Sequence, residues 1–189
     1  MYGTIEINTQ DNQSIMKRRQ FLLYSAAGIA SLGAGGGIWL SHSNGQPLTI
    51  ESALGKLAAL QGRVVISTGE WSAFQVFRHL AQSIQYSMDG FPEHKPEWFQ
   101  NSVGQWAFSA FAMKGAMHHD LSEPIPGEPR WEVEGDVQSA LLHLDSTLRK
   151  FAAYEGPLQP HFAYGVLAKQ DYIAAHVMHL NNHLSQIRV

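Results

Sequence analysis

Three histidines near the carboxyl end of the chain have a spacing suited to shared chemistry. His176, His179 and His183 recur at intervals of three and four residues. On an α-helix this spacing places them on roughly one face, with His179 and His183 one turn apart. Two imidazoles so arranged can bind one metal ion, at about 2.0–2.1 Å for zinc. The pattern indicates a metal site, against the alternative of ordinary surface or core histidines that hydrogen-bond to their neighbours.

The composition limits which residues can complete such a site. The chain of 189 residues contains ten histidines and no cysteine. The lack of cysteine excludes disulfides, zinc–thiolate sites, iron–sulfur clusters and a cysteine nucleophile, so the ligands must be His, Asp or Glu. The formal net charge is −3. Nucleic-acid binders usually carry a basic excess, and we therefore expect no nucleic-acid partner.

A third ligand has to come from another helix, and the sequence offers two sources. His79 lies on the polar strip of a predicted helix, and such a strip either faces water or lines a polar cavity. His118, His119 and Asp120 are the other source, although neighbouring residues on a helix diverge by about 100° and cannot all face one ion. The remaining candidates are expected to be ordinary polar or packing residues: His94, His143 and His161.

Hydrophobic periodicity predicts five helices and almost no strand, which is an all-α helical bundle. The helices are expected at about residues 48–60, 70–88, 97–117, 135–154 and 168–187. The third is apolar on more than one side and is expected to be central and mostly buried. Residues 63–68 are expected to form a linker. The proline-rich loop at 121–130 is the longest candidate for a lid over a site.

The first 43 residues are expected to be an export signal rather than part of the fold. Lys17-Arg18-Arg19 precedes an apolar run at residues 21–40, which is the order of an export leader. The run Arg18-Arg19-Gln20-Phe21-Leu22 resembles the twin-arginine signal. This resemblance implies export through the twin-arginine machinery, to the periplasm or to the membrane if the leader remains as an anchor. A plain transmembrane helix is the alternative. Residues 44–189 would then form the helical domain.

The segments that carry these histidines resemble the DinB/YfiT-like superfamily, and more narrowly an uncharacterised bacterial branch of it. Residues 78–83, with His79, resemble the H-L-A-x-S segment of its second helix. Residues 179–187 resemble its H-x-x-x-H-x-G-Q-I segment on the last bundle helix. Ser185 stands where the superfamily often has glycine, and Leu184 replaces a frequent arginine or histidine. The resemblance covers roughly residues 48–188.

The resemblance implies a four-helix bundle in up-down-down-up order, here with an additional short helix and loops. It also implies a divalent metal ion, most often zinc or nickel, held by three histidines. Carried over to this chain, the ligands are His79, His179 and His183. Gln82, Tyr86 and His176 are candidates to orient ligands or water. Whether the chain forms a homodimer stays open.

Two expectations for function follow, the first from this resemblance and the second from an exported, histidine-rich bundle. Characterised relatives include thiol-dependent transferases and isomerases, which implies a metal-dependent transferase or hydrolase acting on a small molecule that the sequence does not name. The alternative is a non-catalytic metal- or ligand-binding protein of the cell envelope.

Overall fold

The computed structural model describes residues 47–129 and 132–189, so the predicted export signal lies outside the described residues. The elements in chain order are α1 (Ile50–Ala58), β1 (Ile66–Ser67), α2 (Ala73–Asp89), α3 (Glu97–Phe99), a π-helical segment (Gln100–Gly104), α4 (Gln105–Lys114), α5 (Val137–Ala153), α6 (Lys169–Leu184) and β2 (Ile187–Arg188). The prediction of a mostly helical protein is confirmed, and a small two-stranded sheet is added to it. None of the helices in this part of the chain is both long and apolar enough to cross a bilayer.

Local capping fixes where α2 begins. The Ser72 side chain accepts a hydrogen bond from the Gln75 amide, and the Gln75 side chain accepts one from the Ser72 amide. This reciprocal pair satisfies two backbone donors that the first turn of a helix would otherwise leave free. The start of α2 is thereby fixed, and with it the direction in which each of its faces points.

Four helices share the main core. The α2–α5 pair has the largest interface, and α1 and α6 complete the packing around it. Apolar residues that recur every three or four positions form a buried stripe on each of these two helices: Phe77, Ala81, Ile84 and Met88 on α2, with Leu141, Leu144, Leu148 and Phe151 on α5. Burial of this stripe leaves the opposite, polar side of α2 to pack against α6, where His79 meets His179.

The expectation of one buried helix at residues 97–117 is wrong. The segment is divided into α3, the π-helical segment and α4, and it ends at Gly115, whose φ of 68° is left-handed. Trp98, Trp106 and Met113 are 63–77% exposed. The aromatic residues are spread around this segment, and α4 packs on α6 mainly through Phe108, so one narrow side is buried and the rest faces solvent.

Residues 63–68 are not only a linker, because they contain β1. Ile66 pairs with Arg188 and Ser67 with Ile187 in an antiparallel ladder. The Thr68 amide extends it by donating to the Gln186 carbonyl at 2.8 Å. Two-residue strands are too short to show an alternating pattern, and their partner lies about 120 residues away in sequence. The ladder joins the segment before α2 to the segment after α6.

Candidate metal centre

His79, His179 and His183 meet between α2 and α6, and we call them the histidine cluster. The His79 and His179 Nε2 atoms are 3.3 Å apart, and the His183 and His179 Nε2 atoms are 3.1 Å apart. One ligand atom from each of the three residues lies within 4.8 Å of the other two. The i, i+4 spacing on α6 therefore brings two imidazoles together, and α2 contributes the third.

The cluster is shielded from water, which favours neutral imidazoles. His79 is 2% exposed and His183 is fully buried, while His179 is half-buried. Loss of solvation, reinforced by the neighbouring imidazoles, holds the pKa of His179 well below its usual range and lowers the pKa of His183 to about 2. Metal ions bind the neutral form of histidine. At pH 7 these two side chains are thus in the state that binds metal.

A buried carboxylate orients His79. Glu128 Oε2 lies 3.2 Å from His79 Nδ1, and both side chains are at most 2% exposed. The Ile125 amide donates to the same oxygen at 3.1 Å. The carboxylate accepts a hydrogen bond from His79 Nδ1, and this contact directs the Nε2 atom toward the cluster. Metal-binding histidines commonly have a carboxylate partner of this kind.

Sequence reasoning missed Glu128. It lies in the proline-rich loop at 121–130, where the irregular conformation agrees with expectation over the described residues. Proline and glycine positions predict a loop, but they do not indicate which of its side chains points inward. The only indication from the sequence was the prediction that this loop is a candidate lid over a site.

The separations between the ring nitrogens show whether the cluster fits a cation. Nitrogen ligands around a tetrahedral ion with bonds of 2.0–2.1 Å lie about 3.3–3.4 Å apart. The His79–His179 and His179–His183 Nε2 separations of 3.3 and 3.1 Å are close to this distance. The short separations observed therefore fit one divalent ion.

His119 approaches the cluster from the loop after α4. Its ring centre is 5.0 Å from that of His179 and 5.2 Å from that of His183. Its Nδ1 donates to the Asp120 carbonyl at 2.7 Å. The helix ends at Lys114, so the helical divergence expected for residues 118–120 does not apply. In this extended segment His119 is directed inward, while His118 and Asp120 are exposed.

His176 is on the same helix but outside the cluster. Its Nε2 lies 3.1 Å from the Ser87 Oγ, and that hydroxyl donates to the Ile84 carbonyl at 2.7 Å. His176 therefore donates to the Ser87 oxygen, and full burial lowers its pKa to about 3. Of the three histidines spaced along α6, only two converge, and His176 is part of the core between α6 and α2.

The remaining candidates lie away from the cluster or at its edge. Tyr86 packs its ring against Phe91, and burial together with the Glu128 charge raises the pKa of its phenol. His94 and His143 are exposed. The His161 Nδ1 accepts from the Ala163 and Tyr164 amides, so His161 stabilises a turn, as expected of a packing residue.

A cleft of about 300 Å³ lies beside the cluster. It is lined by Glu70, His119, Asp120, Leu121, Ser122 and Gln186. Among these lining residues, His119 contacts the rings of His179 and His183, so the cleft borders a direct neighbour of the histidine cluster.

The fold and the site define a helical domain built around a buried three-histidine cluster that a carboxylate supports. The chain belongs to the family DUF1569, described as a protein of unknown function, whose model matches residues 46–189. Searches of curated proteins and of solved structures give no match.

Glu128→Gln is expected to lower metal affinity by about 10- to 100-fold, the usual effect of losing a carboxylate partner of a metal-binding histidine. The amide keeps the size of the side chain but loses the charge that strengthens the His79 Nδ1–H hydrogen bond. Competition with a chelating dye measures the effect. Glu123→Gln, an exposed change in the same loop, is the control. Affinities within twofold of each other for the two variants would show that Glu128 does not support the site.

Proposed function

We propose that this protein is an exported metal-dependent enzyme, a transferase or hydrolase, that holds one divalent ion through His79, His179 and His183. The observation that carries the proposal is the separation of 3.1–3.3 Å between neighbouring Nε2 atoms, which suits ligands of one ion. Zinc and nickel are the metals proposed, since imidazole nitrogen suits both.

Three protein ligands leave a coordination position open, which is typical of catalytic rather than closed structural sites. A divalent ion there would supply Lewis acidity to a molecule bound at the open position. The chain's own contribution is to hold the imidazoles neutral, to orient His79 through Glu128 and to admit a ligand through the cleft. The cleft at His119, whose ring contacts those of His179 and His183, supports exchange at this position and thus favours a catalytic role over storage of the ion.

We further propose that the domain is a DinB-like four-helix bundle in up-down-down-up order. Its support is the arrangement of α1, α2, α5 and α6 around one core, with α4 as an addition against α6. The β1–β2 ladder makes the start of α2 adjacent to the end of α6, so these two helices run in opposite directions, as the second and last helices of that order do. The proposed ligands come from the same two helices.

Metal analysis of the chain purified without a polyhistidine tag tests the proposed function. One zinc or nickel ion per chain is expected, and it should exchange with a chelator because one position is open. A protein that purifies without metal and binds none on titration would contradict the proposal. Full metal content without turnover of any thiol-transfer or hydrolysis substrate would favour the non-catalytic envelope protein instead.

Export is proposed from the leader sequence and has its own test. A reporter fused after Ser43 is expected to reach the cell envelope, and the double change Arg18→Lys with Arg19→Lys is expected to abolish this. The twin-arginine machinery recognises the arginine pair, whereas the two lysines keep the charge. Fractionation of cells that express each fusion gives the measurement. Unchanged export of the double variant would exclude the twin-arginine route.

A further inference from the structure

His119 lies next to the cluster, and the proposed function gives it no role. Its ring lies nearly as close to His179 and His183 as the rings of the cluster lie to one another: 5.0 and 5.2 Å for His119, against 4.8–5.1 Å within the cluster. Yet the structure gives its Nε2 no hydrogen bond to either neighbour, unlike the three Nε2 atoms of the cluster.

The tautomer of His119 follows from its backbone contact. A carbonyl oxygen only accepts hydrogen bonds, so the 2.7 Å contact with the Asp120 carbonyl places the proton of the neutral ring on Nδ1. The Nε2 atom then carries a lone pair. It is buried and has no hydrogen-bond partner within residues 47–129 and 132–189. A buried acceptor without a donor is costly and suggests that a donor arrives from outside the chain.

The cleft determines what kind of molecule can bring that donor. His119 forms part of its lining, together with the acidic residues Glu70 and Asp120 and the polar residues Ser122 and Gln186. No lysine or arginine is among the described residues that line it. The resulting negative potential repels anions and favours uncharged or cationic polar molecules.

We propose that His119 Nε2 accepts a hydrogen bond from the small molecule that enters through this cleft and occupies the open metal position. The ligand class is an uncharged or cationic molecule whose metal-binding atom itself carries hydrogen, such as an alcohol or an amine. His119 thus selects and positions the ligand, whereas His79, His179 and His183 hold the ion. This inference rests on the proposed metal centre and assigns it a ligand class.

The test uses the full chain loaded with Co²⁺, whose visible absorbance reports binding at the open position. Two uncharged probes are titrated at pH 8: hydroxylamine, which keeps N–H groups on its coordinating nitrogen, and pyridine, whose coordinating nitrogen carries no hydrogen. His119→Phe keeps a ring of similar shape without nitrogens. His118→Phe is the matched control at the exposed neighbouring position.

His119→Phe is expected to keep one Co²⁺ per chain, to weaken hydroxylamine binding about tenfold and to leave pyridine binding within twofold of wild type. The tenfold loss is the usual effect of leaving a buried donor unpaired. His118→Phe should match wild type with both probes. Unchanged hydroxylamine binding, equal weakening for both probes, or loss of Co²⁺ from His119→Phe would each overturn the role of His119. Failure of the wild type to bind Co²⁺ would overturn the metal centre itself.

Discussion

His179→Ala is expected to remove stoichiometric metal from the protein. His179 is the central member of the cluster, because its Nε2 lies 3.3 Å from that of His79 and 3.1 Å from that of His183. Without it, two imidazoles would hold an ion otherwise bound by water. The binding free energy of structural zinc is roughly 10–16 kcal/mol and is shared by four ligands. The loss of one ligand should therefore weaken metal affinity roughly 100-fold or more. Metal analysis of untagged protein at pH 7.5 measures the result.

His79→Ala and His183→Ala are expected to lose metal in the same way, and His143→Ala is the control. His143 is exposed on α5, so its removal should leave metal content unchanged. Equal metal content in all four variants would contradict the ligand assignment. If His79→Ala kept its metal while His119→Ala lost it, the third ligand would come from the loop after α4 rather than from α2.

The metal-free protein is expected to lose stability steeply in mild acid. Burial lowers the pKa of His176 to about 3 and that of His183 to about 2, whereas the unfolded value is about 6.5. Below pH 6.5, His176 and His183 therefore bind protons in the unfolded chain, whereas in the folded chain they stay neutral. The contribution of these two neutral histidines to the free energy of unfolding is therefore full above pH 6.5 and falls as the pH drops toward the folded pKa values. Between pH 6.5 and pH 5, each of the two histidines should lower the free energy of unfolding by roughly 2 kcal/mol.

The two histidines together should lower the free energy of unfolding by roughly 4 kcal/mol, which is large because typical domains have a free energy of unfolding of about 5–15 kcal/mol. Urea unfolding in a chelator at pH 7.5, 6.5 and 5.0 measures it. In His176→Gln the amide can still donate to Ser87 but does not titrate, so the loss should shrink by roughly 2 kcal/mol. His94→Gln, an exposed change, should behave as wild type. The same loss in wild type and His176→Gln would show that the buried imidazole does not drive the acid response.

Regular periodicity made part of the site predictable from sequence. The i, i+4 spacing identified His179 and His183 because both residues lie on one helix and need no knowledge of packing. His79 required the resemblance to a known superfamily, because its polar strip alone did not distinguish a cavity from solvent. His176 shows the limit of spacing, since it shares the helix with the pair but forms its hydrogen bond with Ser87.

The parts that sequence did not predict depend on contacts between distant segments. Glu128 reaches His79 from an irregular loop 49 residues away, and no periodic pattern governs which loop side chain turns inward. His119 lies beyond the end of α4, where a helical projection gave the wrong direction. The prediction for the segment at 97–117 was wrong for a different reason. Its many aromatic residues suggested a buried helix, but Trp98 and Trp106 are mostly exposed to solvent.

The short β1–β2 ladder has a mechanical consequence for the site. It joins the segment before α2 to the segment after α6, the two helices that carry the histidine cluster. Sliding one helix along the other by a single turn would displace its side chains by about 5.4 Å, more than the 3.1–3.3 Å that separates neighbouring Nε2 atoms. The ladder opposes such axial slippage because its hydrogen bonds would have to break first. The ladder thus helps to keep the three imidazoles at these separations.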